Sequence, residues 1–277
     1  MKIGLTGASG FVGSKLAIAL REAGHGLVSL SSRSEDGLRD LPGCDAVVNL
    51  AGEPIAQRWT HAARKHIMES RVQGTRRVVD AMRRLPPQVL VNASAIGYYG
   101  SRGDEQLLET AGPGNDFLAE VATAWENEAR RAEAFGVRVV CPRFGMVLGR
   151  GGALAKMVFP FKLGVGAKLG NGRQWMSWIH IDDLVRLIQF VLGDLYVRGA
   201  VNAIAPNPVT NAQFTRTLAE AVHKPAFLVI PGLVLKLALG EMSTVVLGSQ
   251  RVIPQVAQRR GFEFLFPDLA GALADLL

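Results

Sequence analysis

The chain has 277 residues, 48% hydrophobic and 20% charged, with two cysteines and a net charge of +7 at pH 7. Such a composition supports a large buried core and excludes a disordered polypeptide. The basic residues are scattered, with no tail or aromatic-interleaved array, which argues against nucleic acid. Cys44 and Cys141 lie far apart outside any CxxC spacing, which argues against a metal site or disulfide framework.

In chain order, MKIGLTG predicts a strand and VGSKLAIALREAG a helix closed by Gly24. GLVSLSSR and DAVVNLAG predict further strands. The long helical pattern from His61 to Leu85 must stop at Pro86-Pro87, because proline lacks the N–H and clashes with the preceding turn. QVLVNAS, the helix FLAEVATAWENEARRAEAFG and the strand VRVVCPR follow. Continuous apolar strands alternating with helices predict an α/β fold: a doubly wound parallel sheet of Rossmann type covered on both faces.

After Gly149 the pattern loosens. WMSWIHI predicts a strand leading into DDLVRLIQFVLG, with Asp182 as N-cap, and Thr210–Gln213 predicts a capping box. Gly-Phe-Glu-Phe near the C-terminus predicts a late strand and Leu269–Leu277 a final helix. The expected division is a dinucleotide-binding domain over 1–149 and a smaller substrate lobe over 150–277, with about 176–205 returning to the first domain. A strand pattern starting at Lys2 predicts no leader. The apolar FLVIPGLVLKLALG is broken by Pro231 and Lys236 and predicts no membrane span. The expectation is a cytoplasmic protein with a small-molecule substrate, no nucleic acid or membrane partner, and its oligomeric state left open.

TGASGFVG places Gly7, Gly10 and Gly13 as GxxGxxG between the first strand and the first helix. Glycines let the main chain approach a diphosphate closely, while the helix start offers N–H groups and a positive dipole end. Gly7, Ser9, Gly10, Phe11, Val12 and Gly13 are therefore the expected cofactor contacts. An acidic residue about 20 positions on would bind a free ribose 2′-hydroxyl; the count lands instead on Ser32 and Arg33, and a guanidinium suits a 2′-phosphate. The predicted cofactor is NADP(H).

Together with VVNLAGEPI, RW…SRVQGT, SAIGYYG, PRFGMVLGRGGAL, WIHIDDL and RVIP…GFEF, these motifs resemble the short-chain dehydrogenase/reductase superfamily almost end to end. The similarity is to an atypical, extended-type epimerase-like subfamily. The resemblance implies that Leu50, Ala51 and Gly52, at the end of the family's fourth strand, pass beside the cofactor riboses. It implies that Arg71 contacts the cofactor, and that Val147 lines the nicotinamide end. Ser94 occupies the place of the family's carbonyl-polarising serine. The tyrosine and lysine of the family's YxxxK pair are missing: their helix offers Phe117 and Val121, or Leu118 and Ala122, none ionisable. General acid–base chemistry needs a titratable group in reach, so Tyr98 and Tyr99 become the candidate proton carriers. Arg143 is a candidate contact for a substrate anion.

Overall fold

Six parallel strands form the central sheet of the computed structural model, which describes residues 1–277. They are β1 (Lys2–Thr6), β2 (Gly26–Leu30), β3 (Ala46–Asn49), β4 (Val89–Asn92), β5 (Arg138–Phe144) and β6 (Gly199–Ala203). Their spatial order is β2-β1-β3-β4-β5-β6, and Ser94–Ala95 extends β4 to pair with β5. The chain reverses direction across the sheet between β1 and β3, which opens a crevice at their carboxyl ends. The strand ending at Asn49 is therefore third rather than fourth. Between Leu30 and Ala46 the chain forms only one short 3-10 turn, Asp36–Leu38, and no additional strand.

The strand residues alternate between two cores, as the two-residue pleat requires. Val48, Val91 and Val140 pack with Leu16 and Leu20 of α1 (Phe11–Glu22) and Leu184 and Ile188 of α5 (Ile181–Gly193). Val47, Leu90 and Val139 pack on the opposite face with Val78 and Val79 of α2 (His61–Met82) and Ala129 of α3 (Phe117–Arg130). Hydrogen-bonding side chains fix where α2 and α3 begin. Thr60 accepts from the Ala63 N–H at 3.1 Å and Asp116 from the Ala119 N–H at 2.9 Å, each cap worth about 1 kcal/mol.

The smaller lobe has its own core, where Leu154, Val158 and Phe161 of α4 (Gly152–Lys162) meet Phe214 and Leu218 of α6 (Asn211–Ala221) and the C-terminal helix Leu269–Leu276. Thr210 and Gln213 form a reciprocal capping box at the start of α6. One two-stranded ladder within the lobe pairs Ala167–Leu169 with Leu228–Ile230, and another joins Arg251–Val252 to Gln106–Leu107 of the first half. No helix is long and apolar enough to cross a membrane.

Three local expectations are corrected. Gly261–Phe264 is not a strand: Gly261 has φ +77°, which breaks the extended run, and Phe262 and Phe264 instead stack edge-on 4.9 Å apart. WMSWIHI divides into two short strands at Ser177, whose hydroxyl donates to the Gln250 carbonyl and accepts from the Val252 N–H. His180 rather than Asp182 caps α5, its Nδ1 accepting from the Asp182 N–H at 3.1 Å.

Candidate functional site

The glycine-rich turn is built by close main-chain approach. Gly7 has φ +71°, and a Cβ there would lie 2.9 Å from the Leu50 carbonyl carbon; a Cβ at Gly13 would lie 2.0 Å from the Gly7 oxygen. The Gly10 N–H donates to that oxygen at 2.9 Å, and the first helical bond runs from the Ser14 N–H to the Gly10 carbonyl. No side chain caps α1. Its first-turn N–H groups, at Phe11, Val12 and Gly13, therefore point out of the helix toward the crevice with the positive end of the dipole. Ser9 is exposed on the same turn, and the Phe11 ring lies against the Gly149–Gly152 loop that opens the lobe.

At the end of β3, the Ala51 N–H donates to the Thr6 hydroxyl at 3.3 Å. Below it lies a buried polar chain: Thr6 donates to Asn49 Oδ1, and Asn49 Nδ2 donates to Asn92 Oδ1 and to the Thr75 hydroxyl, which also accepts from the Trp125 indole. With every member satisfied, such a chain holds the ends of three strands in one geometry. Nothing in the alternating apolar pattern signalled it.

Three guanidinium groups border this crevice without a carboxylate within 4 Å. Arg33 is exposed just past β2, after the buried Ser32. Arg71 is half-buried, its group packed under Gly52 and 5.0 Å from the Trp125 ring centre, donating to the Glu53 and Ile67 carbonyls. Burial lowers its pKa to about 10 against the smaller opposing pull of Glu53, so it remains a cation at neutral pH. Arg77, which the sequence reading passed over, donates Nε to the Ser32 carbonyl at 2.8 Å. Leu50 stands beside Gly7, and Val147 lies half-buried on the strand Met146–Leu148, paired with Ile179.

The candidate catalytic residues meet a different fate. Ser94 is buried and donates to Glu126 Oε1 at 2.7 Å. Glu126 is 1% exposed and forms a two-point pair with Arg143, at 2.7 and 2.9 Å. Arg143 also donates to the Tyr99 hydroxyl at 2.9 Å, and Tyr99 donates to Asn202 Oδ1 at 2.6 Å. Burial alone would lower the Arg143 pKa, but the Glu126 hydrogen bonds and charge outweigh it and raise the value. Burial pushes the Tyr99 hydroxyl up to about 12 despite the nearby arginine.

Two expectations change here. Arg143 is 2% exposed with its charge neutralised inside the fold, so it does not face a substrate anion. Ser94 and Tyr99 have hydroxyls committed to internal partners. Tyr98 is half-buried, edge-on to Tyr99, with the Arg143 guanidinium carbon 3.4 Å from its ring centre, and its hydroxyl stays outside the network. Glu126 had a signal in sequence: with Ala119, Ala122 and Ala129 it completes one buried stripe of α3, an acid where helical spacing calls for an apolar residue. At the YxxxK position, Phe117 meets Trp59 edge-on at 5.3 Å, Leu118 packs under Gly97, and Val121 and Ala122 are buried.

Residues 3–203 match the model of the NAD-dependent epimerase/dehydratase family, and residues 230–276 match a domain of unknown function, DUF1731. The chain belongs to that epimerase/dehydratase family. It is 37% identical to the epimerase family protein YfhF of Bacillus subtilis, covering 100% of this chain and 98% of the relative. It is 40% identical to the chloroplastic SDR39U1 homologue of Arabidopsis thaliana, covering 100% and 87%. Among solved structures, human SDR39U1 (isoform 2) with NADPH superposes with a TM-score of 0.93 at 33% identity, covering 100% of this chain and 99% of that one. A UDP-glucose 4-epimerase from Thermotoga maritima shares the fold at 16% identity, with a TM-score of 0.82 and coverage of 99% and 96%. Within the family, the chain is thus an atypical short-chain dehydrogenase/reductase-like member, with no ionisable group in either register of the expected catalytic pair.

Proposed function

We propose that this protein binds NADP(H) in the β1/β3 crevice and acts as an oxidoreductase or epimerase-like enzyme on a small oxygenated substrate. The observation that carries the reading is the crevice's unmatched positive potential: an uncapped helix start and unpaired guanidinium groups at Arg33 and Arg71. Burial without a paired carboxylate makes the Arg71 charge costly unless an anion completes it, while the exposed Arg33 is solvated and free to meet one. The NADPH in the human relative supplies an anion of that kind.

The turn Gly7–Gly13 fits a diphosphate, because its glycines leave no Cβ between ligand and main chain. Arg33 is assigned to the 2′-phosphate and Arg71 to a second anionic or ribose contact; Leu50, Ala51, Gly52 and Val147 line the path between them. When bound, the nicotinamide supplies hydride transfer. Tyr98 is left to offer a proton to a substrate oxygen, with Ser94, Glu126, Arg143 and Tyr99 holding its loop in position. The lobe after Gly149 closes the substrate side.

Rapid mixing of the protein–NADPH complex with a panel of aldehydes and ketones, followed at 340 nm, tests this. Single-turnover oxidation that disappears in Tyr98→Phe, with NADPH affinity retained, is the expected result. The loss of an ionisable group at Phe117/Val121 and Leu118/Ala122 favours a second reading, a dinucleotide-binding regulator without catalysis. Tight NADPH binding with no oxidation across the panel would select it.

A further inference from the structure

Arg77 has no part in the reading above, yet its setting is unusual. It lies on α2, five residues before the helix end, and is half-buried. The carboxylate nearest along its own helix, Asp80, pairs with Arg83 at 3.4 Å and Arg131 at 3.3 Å, and Arg76 on the preceding position pairs with Glu128. Arg77 instead turns to the end of β2 and donates Nε to the Ser32 carbonyl. The acids of the adjoining loop do not neutralise it: Asp36 contacts Arg39, and Glu35 makes no ion pair. Ser32 is buried against the same helix, its hydroxyl 3.3 Å from where a Gly74 Cβ would stand.

The chain between Leu30 and Ala46 makes no strand, so β2 is the edge of the sheet, and the Arg77–Ser32 bond links α2 to the residues just past it. A guanidinium has five N–H donors, and one bond through Nε leaves both terminal nitrogens unoccupied. They are anchored one residue from Arg33.

We propose that Arg77 is the second half of a two-arginine clamp for the cofactor's 2′-phosphate, and sets the preference for the phosphorylated dinucleotide together with Arg33. This rests on the NADP(H) reading above. The Ser32 carbonyl orients the Arg77 fork in advance, so less side-chain freedom is lost on binding than at the exposed Arg33. Arg33 adds charge; Arg77 adds charge in a fixed direction.

Calorimetric titration of wild type, Arg77→Ala and Arg77→Gln with NADPH and NADH tests the clamp, with 2′,5′-ADP and 5′-AMP as fragments. The expected result is a loss on the order of tenfold or more for NADPH and 2′,5′-ADP, with NADH and 5′-AMP changed by less than about twofold. Arg77→Gln, which can still donate to Ser32, guards against a merely structural loss and should show the same selective defect. Equal weakening toward all four ligands in both variants would overturn the clamp and leave the NADP(H) reading standing, with Arg77 only a support for β2. Wild type binding NADH as tightly as NADPH would overturn both.

Discussion

The crevice and the cluster beneath the Ser94 loop are both rich in arginine, but only one is electrically closed. Around Glu126, the buried acid is matched by Arg143 and accepts from Ser94, Tyr99 accepts from Arg143, and Asn202 accepts from Tyr99. Around the glycine turn, Arg33, Arg71 and Arg77 have carbonyls, a ring or solvent for company and no carboxylate in ion-pair contact. The first arrangement holds the protein's own loop; the second leaves charge free for an anion from outside. Charge count alone would have treated them alike.

Breaking the closed cluster should produce the largest effect. Glu126→Gln leaves the Arg143 charge buried without a counter-ion, and should cost about 3–5 kcal/mol in urea unfolding. A loss below about 1 kcal/mol would mean that the cluster is not the closed unit described. On the open side, Gly13→Ala drives a methyl group onto the Gly7 carbonyl. It should remove most dinucleotide affinity, roughly a hundredfold or more by titration, because the cradle must shift from its bound geometry.

Arg71→Ala should weaken NADPH and NADH alike, by roughly tenfold, if its charge serves a part of the cofactor common to both. A defect confined to NADPH would move Arg71 to the 2′-phosphate. The smallest expected effect is in alkaline titration. Tyr99 ionises near pH about 12 when folded and about 10 when unfolded, so the unfolded state loses its proton first and stability falls as pH rises between those values. Urea midpoints at pH 9 and 11 should therefore show a decline that is smaller in Tyr99→Phe.

The fold was legible in the chain because its signals are local and repeated. GxxGxxG, the proline stop at Pro86-Pro87 and the apolar strand runs each report on a few neighbouring residues. The close main-chain turn at Gly7–Gly13 was legible for the same reason. Partners far apart in sequence were not: Arg143 meets Glu126 and Tyr99, and Tyr99 meets Asn202, 103 positions away. Arg143 read as a ligand for substrate because an arginine beyond a strand has no visible partner until the helix carrying Glu126 is placed. Arg77 was missed for the opposite reason. On an amphipathic helix full of arginines, only a bond to the Ser32 carbonyl, 45 positions away, sets this one apart.

Titrating wild-type protein with NADPH and NADH while following nicotinamide fluorescence bears most directly on the open crevice. NADPH should saturate at lower concentration than NADH, with an affinity that falls as salt rises. Absence of binding by either dinucleotide at millimolar concentration, in protein that unfolds cooperatively, would contradict the account.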